Sequence, residues 1–598
     1  MPEPLPDPDG AERLGAAFDR RLAARLWRAA RPHRALLGGS CLLFPPIALA
    51  ELAQPWLLKV AIDDHILRAD WRGLTGVAAL YVGVLALLYG LRTLEAYLLH
   101  LTGHRVTADL REALFAHLLR LEAAFYDRNP VGRLMTRVLH DVEAVSEAFT
   151  SGLFAVVADV VTLAGVVAVM LWLDWHLALV TFAIVPALLL VAGYFRLRAR
   201  DAYREVRTRL ARLNGFLQES LQGMSVIQLF AREAHEAAGF RRLGADYRRA
   251  LFGSTTYEAS LYAAVEALGS IALALLLWYG GGQIVAGALT FGALVAFIQY
   301  TNRFFLPIRD LGAKYTVMQA AMAGAERIFG LLDRAPAITT PAAPVVPAPR
   351  PGEAAVELRG VWFAYAGEHW VLHDCALRVA RGERVALVGA TGEGKSTCAR
   401  LLNRSYEAQR GQVLVDGVDV RAWDLGRLRR HVGIVFQESL LFTGTVEDNL
   451  KIGADGAGTP AELARALAGA RAAGVVAALP RGLREELTER GGNVSHGQRQ
   501  LLAIARALVY NPAVLVLDEA TSSVDAESEA LIRQAMTGLL AGRTSITIAH
   551  RLSTVQGADR ILVLHRGRIH EEGSHAALLR RGGLYARLWE LQGRTGPA

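Results

Sequence analysis

Lysine is almost missing from this 598-residue chain: it stands only at positions 59, 314, 395 and 451, and arginine supplies the rest of the 65 basic residues. The coding bias of a GC-rich genome accounts for that exchange, with thermophily as the weaker explanation. The scarcity singles out Lys395, where a compact ammonium was kept. Cysteine is as rare. The three, at 41, 375 and 398, show neither paired spacing nor a metal-ligand pattern, which excludes a disulfide framework and a zinc site and fits a reducing interior. The first residues, MPEPLPDPDG, are acidic and proline-rich rather than basic and then apolar, so no cleavable secretion signal is expected and targeting falls to later segments. Charge is scarce too: 20% of residues are charged, against 53% hydrophobic, with a mean hydropathy of +0.26, too apolar for a chain that is soluble throughout. The net charge of +8 does not mark a nucleic-acid binder, because the basic residues fall in short stretches between apolar segments, as the positive-inside rule requires.

A chain of this length predicts at least two domains. Residues 11–34 interleave arginine with Leu, Ala, Phe and Trp and predict an amphipathic interfacial helix, so 1–34 forms an N-terminal element; a soluble surface helix is the plain alternative. Six apolar stretches follow, at about 35–60, 74–101, 151–173, 176–197, 258–284 and 289–312, each near the ~20 residues of a spanning helix. The short connections carry acid (Asp63, Asp64, Asp70; Asp174) or glycine, whereas 102–150 and 198–257 are long and arginine-rich. The long loops and both termini are therefore expected in the cytoplasm, with the chain in the cell's inner or plasma membrane. An apolar helical period (Leu110, Leu114, Leu118, Leu121; Leu210, Leu213, Leu217, Leu221) predicts that these loops are helices running past the bilayer. The transmembrane domain is thus 35–334. Residues 335–352 hold six prolines and read as a linker, and 353–598, where strand-like and helical runs alternate, as an α/β domain.

Two segments of that domain carry chemistry. Gly389-Ala390-Thr391-Gly392-Glu393-Gly394-Lys395-Ser396-Thr397 follows a strand and opens a helix. Glycines there let backbone N–H groups close around phosphates; Lys395 would neutralise the β- and γ-phosphates, and Ser396 would ligate Mg²⁺. Val514-Leu515-Val516-Leu517-Asp518-Glu519 is an apolar strand ending in two acids. Asp518 would hold Mg²⁺ through water, and Glu519 would polarise the attacking water.

These motifs, in this order, resemble those of the ABC ATPases, and residues 30–590 resemble an ABC exporter half-transporter of the multidrug or lipid type: a membrane α-helical bundle plus an α/β P-loop ATPase domain. The resemblance implies further roles. Tyr365 would stack on adenine, Gln437 would contact the metal and relay nucleotide state, and His550 would contact the γ-phosphate. Glu489-Arg490-Gly491 would touch the opposite chain's helices, and Ser522-Ser523-Val524-Asp525 would be the dimer-contact loop. Residues 125–142 and 213–233 resemble the two coupling segments. ATP and Mg²⁺ are the implied ligands, and the implied substrates are amphipathic small molecules, lipids or peptides exported by alternating access. Lipid flipping, peptide export and a non-transporting channel or sensor remain open.

One departure bears on partners. The family's signature Leu-Ser-Gly-Gly-Gln reads Val494-Ser495-His496-Gly497-Gln498 here. His496 replaces a glycine that approaches the other chain's γ-phosphate, restricting the backbone and crowding the ligand. The resemblance is then to the hydrolytic-side subunit of a heterodimer whose partner has an intact signature; a homodimer tolerating the histidine stays open. Glu393, where many relatives carry serine, is expected to face solvent. Glu51, Glu95, Asp159, Glu266 and Arg303 fall within spans and mark either a substrate path, with Glu51, Asp159 and Glu266 as its acids, or interhelical pairs or helix ends lying at the interface.

Overall fold

Apolar runs with little internal punctuation fold into helices that outrun a bilayer. The computed structural model describes residues 19–348, 350, 352–436, 439–453, 458–518, 526–549 and 555–594. By their contacts the residues form two units: one runs up to Leu118 and resumes at Gly132–Arg334, and the other joins Leu119–Val131 to Ala335–Ala598.

In the first unit the long helices are Arg34–Val60, Trp71–Leu118, Leu153–Leu173, Val185–Gln222, Glu233–Val285 and Phe291–Leu332. Trp71–Leu118 has 48 residues and Glu233–Val285 has 53; at ~1.5 Å per residue each is more than twice the ~30 Å of a hydrocarbon core. The arginine-rich stretches are therefore helical continuations of the spans. Near their far ends Gly223 and Arg232 leave helical geometry around the short helix Met224–Leu229. Five stretches among the described residues are long and apolar enough to cross a membrane: Arg20–Ile66, Trp71–Leu118, Val131–Leu173, Trp175–Gln222 and Glu233–Val285. The sixth expected span lies in Phe291–Leu332, where Gln299, Thr301, Asn302 and Arg303 dilute the apolar run. Val166, Met170, Leu177, Leu188, Leu276, Phe297 and Tyr300 form this unit's buried core. Leu80, Val82, Leu87, Trp172 and Trp278 face outward, a surface suited to lipid rather than water.

The helix Arg20–Ala30, capped by Asp19, buries Leu26 and Ala30 and exposes Arg20, Arg21, Trp27 and Arg28, the two-faced pattern of an interfacial helix. Arg25 holds it through a forked pair of bonds to Asp333, 2.5 and 2.7 Å.

The second unit is built on sheets. Strands β1 (Ala354–Ala364), β2 (Trp370–Ala380), β4 (Arg410–Val415) and β5 (Val418–Asp419) form an antiparallel sheet in the order β2-β1-β4-β5. The second sheet runs β12-β11-β3-β10-β9-β6, from β3 (Arg384–Val388), β6 (Val432–Val435), β9 (Val514–Asp518), β10 (Thr544–Ile548), β11 (Arg560–His565) and β12 (Arg568–Gly573). All its pairings are parallel except β11 with β12, and β7 (Gly444–Thr445) pairs antiparallel with β8 (Glu486–Leu487) in a separate two-stranded sheet. The inner strands β3, β9 and β11 are largely apolar because both faces are covered: Leu358, Leu402 and Val516 lie in one cluster, Leu501, Leu515 and Ile532 in another.

Two connecting segments lie on this unit. Residues 119–131, which the sequence analysis places in the transmembrane domain, form the short helix Ala123–Arg128 and pack with the ATPase strands. The proline-rich linker is extended but tied down: Glu122 accepts from the Ala337 N–H (3.2 Å), Thr339 O from Arg404 (3.0 Å), and Ala422 O from the Val345 N–H (2.8 Å).

Candidate functional site

Parallel register brings the chemistry to one sheet edge. Leu387 of β3 and Asp518 of β9 are both in register with Ile548 of β10, so the loop after β3 and the acid ending β9 emerge at one level on either side of β10, at the strands' carboxyl ends, where open α/β sheets bind ligands. The loop closes through Gly392 (φ +88°) and Gly394 (φ +100°), left-handed conformations that suit glycine, and Gly394 caps the helix Lys395–Leu402.

Lys395 is buried, and its Nζ donates to the carbonyls of Gly389 and Ala390 at 2.8 Å each. Burial pulls its pKa down, against the opposing pull of Asp518 and Glu393. Oδ1 of Asp518 is buried without a hydrogen-bond partner among the described residues. A buried, unsatisfied carboxylate oxygen beside a phosphate loop suits a hydrated cation, so the donors present fit Mg²⁺. Ser396 is half-buried and Thr397 buried at the start of the same helix.

Tyr365 ends the aromatic run Trp362-Phe363-Ala364-Tyr365. Its hydroxyl lies 3.0 Å from Thr397 Oγ1, and Phe363 and Tyr406 meet its ring edge-on with centroids at 4.8 and 5.2 Å. Tyr406 carries no motif that sequence reasoning could have seen. It donates to Asp127 in the short helix Ala123–Arg128, while Arg128 donates to the Tyr365 carbonyl at 3.1 Å.

Glu393 overturns an expectation. Its side chain does not face solvent but is only 16% exposed, with His565 Nδ1 at 3.2 Å and the Arg566 N–H donating to its other oxygen. The reason is that the β11–β12 turn lies against the loop.

The signature segment is a helix start. Ser495 caps His496–Tyr510 in a reciprocal box with Gln498. Gly497 is buried and His496 half-buried. His496 is in the helix and absent from the residues with positive φ. His496 thus sits without backbone strain, because a helical first residue needs no glycine, and the ring's bulk is what it adds towards a ligand. Arg499 fixes the approach by donating to Gly491 O (3.1 Å) and Val494 O (2.9 Å). Arg506 ties the same helix to Leu440 O and Asn449, and burial lowers its pKa. Arg490 in the preceding turn takes the left-handed φ of +56°. Gln437, Glu519, residues 522–525 with Asp525, and His550 lie outside the described residues.

In the other unit, two of the three candidate substrate-path acids are paired. Arg92 reaches Glu51 (2.5 Å) and Glu95 (3.2 Å), and Lys314 pairs with Asp159. Arg303 donates to Gln54 at 2.7 Å and to the Glu51 carbonyl. Glu51 and Asp159 thus make interhelical pairs, which offset the cost of charge at that depth. Glu266 is exposed, with no ion pair among the described residues.

Comparisons with known proteins agree with this architecture. Residues 41–308 match the family described as ABC transporter transmembrane region, and residues 372–522 match ABC transporter. An ABC transporter ATP-binding protein of Bacillus subtilis (strain 168), YknV, is 34% identical over 96% of this chain and 95% of its own length. An ATP-dependent lipid A-core flippase of Syntrophus aciditrophicus (strain SB) is 34% identical over 95% of this chain and 94% of its own. The solved structure of a bacterial Atm1-family ABC exporter with ATP bound superposes with a TM-score of 0.77 at 32% identity, covering 94% of this chain and 99% of that one. The chain belongs to the ABC exporters, membrane proteins in which an exporter-type helical domain is fused to an ATPase domain whose ATP hydrolysis drives export.

Proposed function

We propose that this chain is one half of a dimeric exporter that moves amphipathic or hydrophobic molecules, lipids among them, out of the cell's inner membrane, with both termini in the cytoplasm. The observation that carries the nucleotide chemistry is a buried Lys395 folded onto its own loop carbonyls together with an Asp518 oxygen that has no partner among the described residues. An incoming triphosphate exchanges those carbonyls for phosphate oxygens. Ser396, Gln437 and Asp518 would hold Mg²⁺, which supplies charge neutralisation between the phosphates. Gly389 to Thr397 cradle the phosphates, Tyr365 takes the adenine, Glu519 polarises water and His550 contacts the γ-phosphate.

ATP bound between one chain's phosphate loop and the other's signature (Ser495, His496, Gly497, Gln498) favours the closed dimer, since it gains contacts in that state alone. Asp525 lines the same contact. Gln437 and the segments around 125–142 and 213–233 carry closure to the helices, and loss of the γ-phosphate contacts resets them. The partner is best read as a different half-transporter with an intact signature, because His496 adds a ring at this chain's half of one site. A homodimer is the second reading. The likeness to a lipid A-core flippase supports a lipid substrate.

Uptake into inside-out vesicles of labelled lipids, cationic dyes and peptides tests the export reading; ATP-dependent accumulation of none of them, with and without candidate partners, would sink it. Strong substrate-stimulated ATPase from this chain alone would replace the heterodimer with the homodimer.

A further inference from the structure

Glu393 is an acid in a loop built to receive phosphate, and a neighbouring hairpin holds it. Its flanking residues, Gly392 and Gly394, have left-handed φ, so the backbone there has little stiffness of its own and side-chain ties decide how the loop rests. The hairpin between β11 and β12 turns through Arg566 (φ +49°) and Gly567 (φ +75°), with His565 opposite Arg568, a two-residue turn whose twist matches its strands. This turn meets the loop twice. At Gly389 any Cβ would run into the Leu564 carbonyl. At Glu393, His565 Nδ1 lies 3.2 Å from one carboxylate oxygen, and the Arg566 N–H donates to the other.

A carboxylate beside the phosphate cup opposes a ligand carrying several negative charges. Engaged by an imidazole and an amide, the same carboxylate has its charge offset and its oxygens anchored on the hairpin. We propose that His565 is a positioning residue for ATP: with the Arg566 amide it anchors Glu393 on the β11–β12 turn and so lowers the repulsion between the loop and the incoming triphosphate. The proposal rests on the nucleotide-binding role given to this loop above. His565 acts through Glu393, and the effect scales with ligand charge, so ATP feels it more than ADP.

The test is equilibrium binding of fluorescent MANT-ATP and MANT-ADP, with Mg²⁺, to the full chain in lipid nanodiscs. The set is the unsubstituted chain, His565→Ala, His565→Asn, Glu393→Ser and the double variant His565→Ala/Glu393→Ser. His565→Ala is expected to weaken MANT-ATP roughly three- to tenfold and MANT-ADP less, the size of one unscreened charge near a polyanion. His565→Asn keeps an N–H donor and is expected to stay within about twofold of the unsubstituted chain. With Glu393→Ser in place, the His565→Ala loss should vanish, the signature of two residues acting as one unit. An equal loss in both backgrounds, equal losses for ATP and ADP, or no loss at all would overturn the proposal and leave the phosphate loop's role intact. Failure of the unsubstituted chain to bind either nucleotide would overturn that role itself, and this inference with it.

Discussion

The hydroxyl of Tyr406 donates to the carboxylate of Asp127 and so ties the ATPase unit's aromatic cluster to the short helix Ala123–Arg128. Burial, reinforced by the Asp127 bond, pushes the Tyr406 phenol well above its ordinary pKa, so it stays a donor at any physiological pH. Its ring meets Tyr365 edge-on, and Tyr365 lies 3.0 Å from Thr397 in the phosphate-loop helix. Tyr406→Phe removes the hydroxyl and keeps the packing. ATP binding should stay within about twofold, while stimulation of ATPase by transported substrate falls by more than half, for the loss of one charge-assisted bond of ~1.5–3 kcal/mol. Paired ATPase and vesicle-uptake assays check this; unchanged stimulation would remove the contact from coupling.

Lys395→Ala and Glu519→Gln should separate binding from chemistry. The first deletes the ammonium that faces the triphosphate, and nucleotide affinity should drop by at least about tenfold. The second keeps the site's shape but loses the base, so ATP should bind normally while turnover falls about 10²–10³-fold. Filter binding and phosphate release distinguish them.

His496→Gly tests the signature departure. Because the backbone is already helical, the substitution relieves no strain and should change the melting temperature little; glycine inside a helix costs about 0.5–1 kcal/mol and less at its first position. If the ring is what impairs this chain's half of a site, ATPase of the chain expressed alone should rise several-fold. A flat response would mean that the histidine is tolerated.

Arg92 joins the helices Arg34–Val60 and Trp71–Leu118 through Glu51. Arg92→Ala takes from Glu51 and the buried Glu95 the cation they share. The expected destabilisation is about 1–3 kcal/mol, below the ~3–5 of a fully buried pair because the Arg92 side chain is 45% exposed. Adding Glu51→Gln should recover part of it. Thermal unfolding in detergent reads both changes.

Glu462 gives a pH signature. Three bonds, from the Gly458 and Thr459 N–H groups and the Thr459 hydroxyl, hold its carboxyl down to about 2. A carboxylate whose folded pKa is depressed stabilises the fold above its unfolded pKa of ~4.3 and loses that contribution as pH falls towards the folded value. The melting temperature of Glu462→Gln should therefore lie below that of the unsubstituted chain at pH 7, and the gap should narrow as pH falls below about 4.5.

What could be read without coordinates were the features written in local pattern. Apolar runs of spanning length, proline punctuation at 335–352 and the strand–loop–helix around Lys395 each follow from the residues that carry them, because hydropathy, fixed φ and close backbone approach act over a few neighbours.

What only the tertiary structure decided joins residues far apart in the chain. Glu393 looked like a solvated acid until the hairpin turn 172 residues later was placed against it. Glu51 gained a named partner only when Arg92 was placed on it, 41 residues away. Tyr406 had no visible role until it met Asp127 across 279 residues. A side chain's charge and shape are intrinsic, but its partner is set by which elements pack together, and that packing follows from burying whole helices and sheets rather than from the side chain concerned.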